Sequence, residues 1–376
     1  MRWNKIKKIL VINVANGFGG AEKSLTDVLE KLTDDYEIKF VAEHEKTIEL
    51  LNQKGFSYEK LKTGSLKKLN GIFKYITALI RLLFIILDYK PDIILSNTVR
   101  SHILSAPISF ITRIKSIWIL RDYSFSKGVK NFFEFAPKKI ICVSKDLKRY
   151  YDGNDKYLVI SNGLDMSYIS DEYSLVYRNE FEIKNDEFII GLASAFSRWK
   201  GIEYLIKAFS EVQQEVGGFK GKLLIAGQAE KGTVRYQYYL ELKELVKKLS
   251  LEEKVIFIGW IDNIFEFFYN CDVIVSSSIS KYGGPESFGR TIIEAWAVKK
   301  PVIVTDSGGP RDIVQDEVNG LKVKEMNHKD IEKAIFKLYK NRRICMEIGE
   351  RGYTVLIKKY NLKNIAQQYK LLFDEI

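Results

Sequence analysis

Short, solidly apolar runs alternate along this chain with longer stretches in which apolar side chains return every three or four positions. A solid run fits a strand buried on both faces, and the three-to-four repeat fits a helix with one apolar side. Residues 6–14 open the series as a strand. A glycine-rich turn follows at Asn16, Gly17, Phe18, Gly19 and Gly20, then a helix over 21–32 with Leu25, Val28, Leu29 and Leu32 on one side. Strand 37–43 and helix 47–54 repeat the unit. Further strands are expected at 93–95, 116–120, 139–143 and 157–160, with Ser144 capping a helix. A polar, irregular stretch over about 162–186 reads as a hinge. A second series starts beyond it: strand 188–193, helix 203–216, strand 222–226, helix 236–249, strand 255–258, helix 264–269 and strand 273–278. Helices at 331–339, 343–353 and 361–374 close the chain.

This alternation predicts an α/β protein of two Rossmann-like domains that face each other across a cleft. The first is expected over 1–165 together with about 358–376, the last helix crossing back to it, and the second over 166–357. Ligands of open parallel sheets sit beyond the carboxyl ends of the strands.

Residues 69–87 are the most apolar stretch. They are short of the roughly 20 mostly apolar residues of a transmembrane helix. Lys74, Thr77, Arg81 and Asp88 recur at helical spacing as a polar stripe, so the segment reads as a crossover helix against the sheet, with a membrane-interface helix as the alternative.

Three cysteines without a C-x-x-C pair and three histidines without an H-E-x-x-H pattern exclude a disulfide framework and a zinc site by pattern, and fit a reducing cytosol. Residues 1–17 do not read as a signal peptide, because the apolar run is short, Asn13, Asn16 and Gly17 break it up, and no small-residue cleavage site follows. The net charge is +11, and residues 1–165 carry 28 Lys and Arg against 18 Asp and Glu. The basic clusters are Lys5, Lys7 and Lys8; Lys60, Lys62, Lys67 and Lys68; and Lys138, Lys139, Lys145, Lys148 and Arg149. They fit an anionic membrane face, a phosphorylated acceptor or nucleic acid, or a plain solvated surface. No helix-turn-helix, RNP or zinc pattern supports nucleic acid.

Chemistry concentrates at 281–310. A glycine loop holding Glu286, Ser287, Phe288 and Gly289 leads into a helix with Thr291 in its first turn and Glu294 further on. A helix N-terminus attracts phosphate, and carboxylates bind hydroxyls, so the pattern suits a nucleotide-sugar. Arg198 and Lys200 follow a strand end, where cations neutralise phosphate. The first glycine loop fails the dinucleotide fingerprint, because Glu22 stands where Gly or Ala should close it.

Glu286 to Gly289 followed by Glu294 and Ala295 resembles the E-x7-E signature of retaining glycosyltransferases of family 4, with the GT-B fold. Gly19, Gly20, Ala21 and Glu22 are similar to that family's first loop, Ser161 to Asp165 to its hinge entry, and Lys200-Gly201 to its phosphate-binding lysine. Gly308, Gly309 and Asp312 are similar to its Gly-Gly-x-x-Glu. Two positions depart from the pattern: Ala195 stands where many members carry arginine, and Arg121-Asp122-Tyr123 lacks a histidine often found there. The resemblance implies that Glu286 meets the donor sugar beside the N–H groups of Phe288 and Gly289, that Glu294 binds ribose, and that Lys200, with Arg198, stabilises the diphosphate. Ser287, Thr291 and Gly227 complete the donor site, and Gly19 and Gly20 lie near phosphate or acceptor. Asp122, Asn97 and Arg121 form the acceptor side.

The expected activity is transfer of a hexose, with retention, from a nucleoside diphosphate to a glycan or lipid-linked glycan in capsule or lipopolysaccharide synthesis. It needs no cofactor, and no bound metal where the cations and the helix dipole stabilise the leaving group; no D-x-D pair is present. The expected place is the cytoplasm, peripherally on the inner face of the cytoplasmic membrane. The alternative is a non-catalytic nucleotide-sugar-binding or scaffold protein on the same fold.

Overall fold

A computed structural model of the chain describes residues 6–15, 17–64, 69–123, 133–151, 153–170, 172–215 and 218–376. Lys5, Asn16, Lys67 and Lys68, named above, and the end of the expected helix 203–216 lie outside them. The chain divides into two compact units, residues 1–163 with 362–376, and residues 164–361.

Unit 1 holds a parallel sheet of strands β1 (Lys7–Asn13), β2 (Tyr36–Ala42), β3 (Ser57–Lys60), β4 (Ile93–Ser96), β5 (Lys115–Leu120), β6 (Lys139–Cys142) and β7 (Tyr157–Val159). Their order is β3-β2-β1-β4-β5-β6-β7. The central strands are buried on both faces, as their solid apolar runs require. Helices Leu69–Tyr89 and Val99–Thr112 cover one face, where Leu82, Ile86, Leu104 and Ile108 pack on Leu10, Ile12 and Ile94. Helix Leu362–Glu375 joins this unit: Lys7 Nζ donates to the Phe373 carbonyl at 2.7 Å, and the Tyr36 hydroxyl to Asp374 at 2.5 Å.

Unit 2 holds a second parallel sheet, β8 (Phe188–Ala193), β9 (Gly221–Ala226), β10 (Val255–Gly259), β11 (Val273–Ser276), β12 (Val302–Thr305) and β13 (Leu321–Val323), in the order β10-β9-β8-β11-β12-β13. Its core joins Phe188, Ile190 and Leu223 to Phe209, Leu242 and Ile335 from the covering helices. In each sheet the chain winds outward one way, then returns to the middle and winds the other. The reversal falls between β1 and β4 in unit 1 and between β8 and β11 in unit 2, and such switch points leave a crevice beyond the strand ends.

Some elements lie outside the expected series. Ser57–Lys60 and Leu321–Val323 are strands, though neither is an apolar run. Val99–Thr112 is a helix despite Pro107 inside it. Gly308–Ile313 is a short helix. On Leu69–Tyr89 the narrow polar stripe of Lys74, Thr77, Arg81 and Asp88 is exposed as expected, and large exposed apolar residues lie beside it.

Candidate active site

In unit 2 the predicted residues gather beyond the carboxyl ends of β8, β9, β11 and β12. After β8, a 3-10 turn at Arg198–Lys200 presents Lys200. The turn is pinned from both sides of the crevice: Ser277 donates its hydroxyl to the Lys200 carbonyl at 2.9 Å, and Ile279 N–H donates to the Trp199 carbonyl at 2.7 Å. Lys200 Nζ lies 4.0 Å from the Trp199 ring centre and 2.5 Å from Glu286 Oε2. The pair joins residues 86 apart in sequence, across the β8–β11 switch.

Burial pushes the Glu286 carboxyl up. The Lys200 charge and hydrogen bond, with the N–H groups of Phe288 and Gly289, outweigh it and hold the group below the ordinary carboxylate value. Glu286 is therefore a carboxylate at neutral pH. Phe288 turns its ring inward, edge-on to Tyr360 at 5.8 Å, so only its backbone faces the site.

Gly289 has φ +90° and caps helix Arg290–Ala297 with no side-chain oxygen. The first-turn N–H groups keep their partial positive charge without a capping side chain, as an anion site needs. Thr291 lies in this turn, half-buried. Glu294 is buried one turn on and accepts from Arg290 Nε at 2.7 Å.

The loop is held from behind. Gly309 N–H donates to the Glu286 carbonyl at 2.8 Å. A Cβ on Gly308 (φ +60°) would overlap that carbonyl oxygen, and one on Gly309 would overlap Ser287 O and Phe288 Cα. Both positions thus require glycine for the two turns to touch. Gly227, just past β9, donates its N–H to the Gly259 carbonyl at 2.8 Å.

Arg198 does not join this group. Its guanidinium reaches Glu241 at 2.5 Å and lies 5.2 Å from the Tyr238 ring centre, half-exposed.

In unit 1, Asn97 and Arg121 are brought together beyond β4 and β5. Arg121 Nε donates to Asn97 Oδ1 at 2.6 Å and its NH1 to Asn162 Oδ1 at 2.8 Å. Asn97 Nδ2 donates to Asn13 Oδ1 at 3.2 Å, and the Ser24 hydroxyl to Asn162 Oδ1 at 3.0 Å. Asn13 Nδ2 is buried with no acceptor among the described residues. Asp122 is exposed, and its carbonyl accepts the Tyr151 hydroxyl at 3.2 Å. Gly19 and Gly20 are exposed at the start of helix Gly20–Glu30, and Glu22 turns back to accept the Gly19 N–H at 2.9 Å. Burial raises the Glu22 carboxyl, and Arg121 is among the groups that oppose it.

Sequence reasoning missed Arg290, Asn13 and Ser24. The Arg290–Glu294 spacing of four was a readable signal. So was a buried asparagine ending a solid apolar run at Asn13, since a buried amide needs a partner.

Residues 175–355 match the family model described as Glycosyl transferases group 1. The uncharacterized glycosyltransferase MJ1607 of Methanocaldococcus jannaschii is 30% identical over 320 residues, 76% of each chain. The capsular polysaccharide biosynthesis glycosyltransferase CapM of Staphylococcus aureus is 25% identical over 325 residues, 81% of this chain and 82% of its own. In fold the chain is similar to Anabaena HepE, solved with UDP-glucose, at a TM-score of 0.84 and 23% identity over 98% of this chain and 100% of the other. It is also similar to sucrose-phosphate synthase of Thermosynechococcus elongatus, at a TM-score of 0.81 and 18% identity, with 98% of each chain covered.

Proposed function

The chain belongs to the group 1 glycosyltransferases and has a GT-B fold of two parallel-sheet units, and from that premise we propose that it is a retaining, metal-independent enzyme of family 4. It moves a hexose from a nucleoside diphosphate to a hydroxyl of a glycan or lipid-linked glycan in cell-surface polysaccharide synthesis. The carrying observation is the Lys200–Glu286 pair at 2.5 Å, beside an uncapped helix N-terminus at the β8–β11 switch. HepE binds UDP-glucose and CapM serves capsule synthesis, which supports the donor class and the setting.

In this reading the bond from the anomeric carbon to the diphosphate oxygen breaks, and the acceptor oxygen bonds to that carbon from the same face. The sugar gains oxocarbenium character while negative charge grows on the diphosphate. Lys200 and the amino end of helix Arg290–Ala297 stabilise that charge, a preorganised arrangement that costs no rearrangement during reaction. Glu286 accepts hydrogen bonds from the sugar hydroxyls. Glu294, steadied by Arg290, accepts those of the ribose. Ser287 and Gly227 border the donor. The leaving phosphate oxygen takes the acceptor's proton. With Arg198 engaged by Glu241, leaving-group stabilisation falls to Lys200. Unit 1 supplies the acceptor side through Gly19, Gly20, Asn97, Arg121 and Asp122, and its basic surface meets an anionic membrane.

A thermal-shift screen against UDP-, GDP-, ADP- and dTDP-sugars tests the donor, since a ligand bound only by the folded state raises apparent stability. One nucleotide class should shift the transition, and the same donor should be hydrolysed slowly with retained configuration, with or without EDTA. The variant Glu286→Ala should keep the nucleotide shift and lose transfer; full activity in that variant would remove Glu286 from the mechanism. A shift with no hydrolysis and no transfer would favour a non-catalytic binding protein.

A further inference from the structure

Helix Leu69–Tyr89 is apolar on two opposite sides. Its inner side, with Ala78, Leu82, Ile86 and Tyr89, is buried in the unit 1 core. Its outer side carries Phe73, Ile76, Ile80, Phe84 and Leu87, exposed by 68, 46, 51, 66 and 55%. At 100° per residue these five fall within an arc of about 80°, and at 1.5 Å per residue the stripe runs about 21 Å. Lys74 and Arg81 are exposed along one margin.

Apolar side chains are also exposed on the next helix. Both Leu69–Tyr89 and Val99–Thr112 lead into the amino end of a parallel strand, so both finish at the same edge of the sheet. There Phe110 and Ile111 are 64 and 78% exposed. They border an open cavity of about 870 Å³ that Arg113, Lys115, Lys138 and Lys156 also line. Unit 1, by residue count, holds 30 Lys and Arg against 19 Asp and Glu, the whole net charge of +11.

We propose that this face docks on an anionic lipid bilayer. The stripe sinks to the boundary between headgroups and acyl chains, and the flanking cations meet lipid phosphates, the arrangement of an interfacial amphipathic helix. It lies on the membrane and does not cross it: its inner side stays on the sheet, and no helix among the described residues is long and apolar enough to span. A second copy is a poorer occupant, because two faces of one strongly positive unit repel. A bilayer supplies both an apolar layer and the opposite charge. The inference deepens the reading of a membrane-facing acceptor unit and rests on it for purpose, while its test needs no donor or acceptor.

Sedimentation with phosphatidylglycerol-containing vesicles, with phosphatidylcholine vesicles and without vesicles is the experiment. The wild-type chain should pellet with the anionic vesicles and be released by salt. Phe73→Ser/Ile80→Ser/Phe84→Ser should weaken partitioning at least about tenfold, with the nucleotide thermal shift unchanged. Neutralising Lys74 and Arg81 to Gln should weaken it about fivefold each. Wild-type protein left in the supernatant at low salt overturns the proposal, as does equal binding by the triple variant. A triple variant that binds vesicles normally but converts a dimer to a monomer gives the stripe to a second copy. Should the triple variant unfold, Phe84→Trp with brominated lipids decides: quenching beyond that of wild type supports insertion, and its absence overturns it. A normal donor shift without vesicle binding would sink this inference alone.

Discussion

Replacing Lys200 by Met strands a negative charge, and the cost can be worked from the geometry. The Glu286 and Lys200 side chains are 17 and 19% exposed and meet at 2.5 Å. Removing one member of a buried pair costs about 3–5 kcal/mol, because the other keeps its desolvation without compensation. Both heads retain some water, which screens the loss, so about 2–3 kcal/mol is expected at pH 7. For a unit of this size that is a fall of roughly 5–10 °C in Tm. Lys200→Met/Glu286→Gln removes both charges and should recover most of it. The pH dependence has a definite sign. Folded Glu286 holds its proton less readily than the unfolded chain, whose carboxyl titrates near 4.5. The pair's contribution is therefore complete above that value and is lost as pH falls through the lower folded one. The deficit of Lys200→Met should shrink in the same acid range. Differential scanning calorimetry of the full chain reads this, with the unit 2 transition identified by its shift on adding nucleotide. A single variant within a degree of wild type, or a double variant no better than the single, would refute charge compensation. Transfer by Lys200→Met should drop about 10²–10³-fold through loss of leaving-group stabilisation.

Glu294→Gln or Arg290→Ala should raise the donor KM about tenfold with little change in kcat, the mark of a binding contact felt equally before and during reaction. Gly309→Ala forces a Cβ onto Ser287 O and Phe288 Cα; about 2–4 kcal/mol of stability should be lost, read by urea titration, with activity falling in parallel. His102 is buried, stacked on Trp118 at 4.2 Å, and burial lowers its pKa to about 4. The unfolded chain then carries one more proton between pH 6.5 and 4, so stability should decline across that window by about 3 kcal/mol. His102→Gln should flatten that part of the profile, and an unchanged slope would show that His102 is not its source.

Legibility followed burial. Strands in the middle of each sheet, such as Ile93–Ser96 and Phe188–Ala193, are solid apolar runs and could be read to within a residue or so. Ser57–Lys60 could not, because it sits at the edge of the sheet beyond β2 and needs no apolar faces. Leu321–Val323 is likewise an edge strand. Val99–Thr112 hid behind three serines, Pro107 and an apolar pattern without a clear side. In the site, Glu286, Glu294 and Lys200 were legible because loop glycines and strand ends flag them. The turn of Arg198 toward Glu241 was not, since its partner lies 43 residues on, upon a helix whose rotation only packing fixes. The outer stripe of Leu69–Tyr89 was half-visible: the sequence marks every apolar position but not which of two apolar sides the sheet covers.

The helix Leu362–Glu375 completes the unit that begins the chain, and this sets a timetable for synthesis. Unit 1 has its seven strands once residue 159 has been made, yet Lys7, Tyr36 and the surface beneath Phe373 must wait for the closing helix. Unit 2 is continuous and lies wholly in between. At about 5–20 residues per second the ribosome needs roughly 10–40 s to cover that interval. During it the second unit can fold to completion while the first stands open on one side, a substrate for holdase chaperones. The nascent chain therefore completes its second unit before its first has closed.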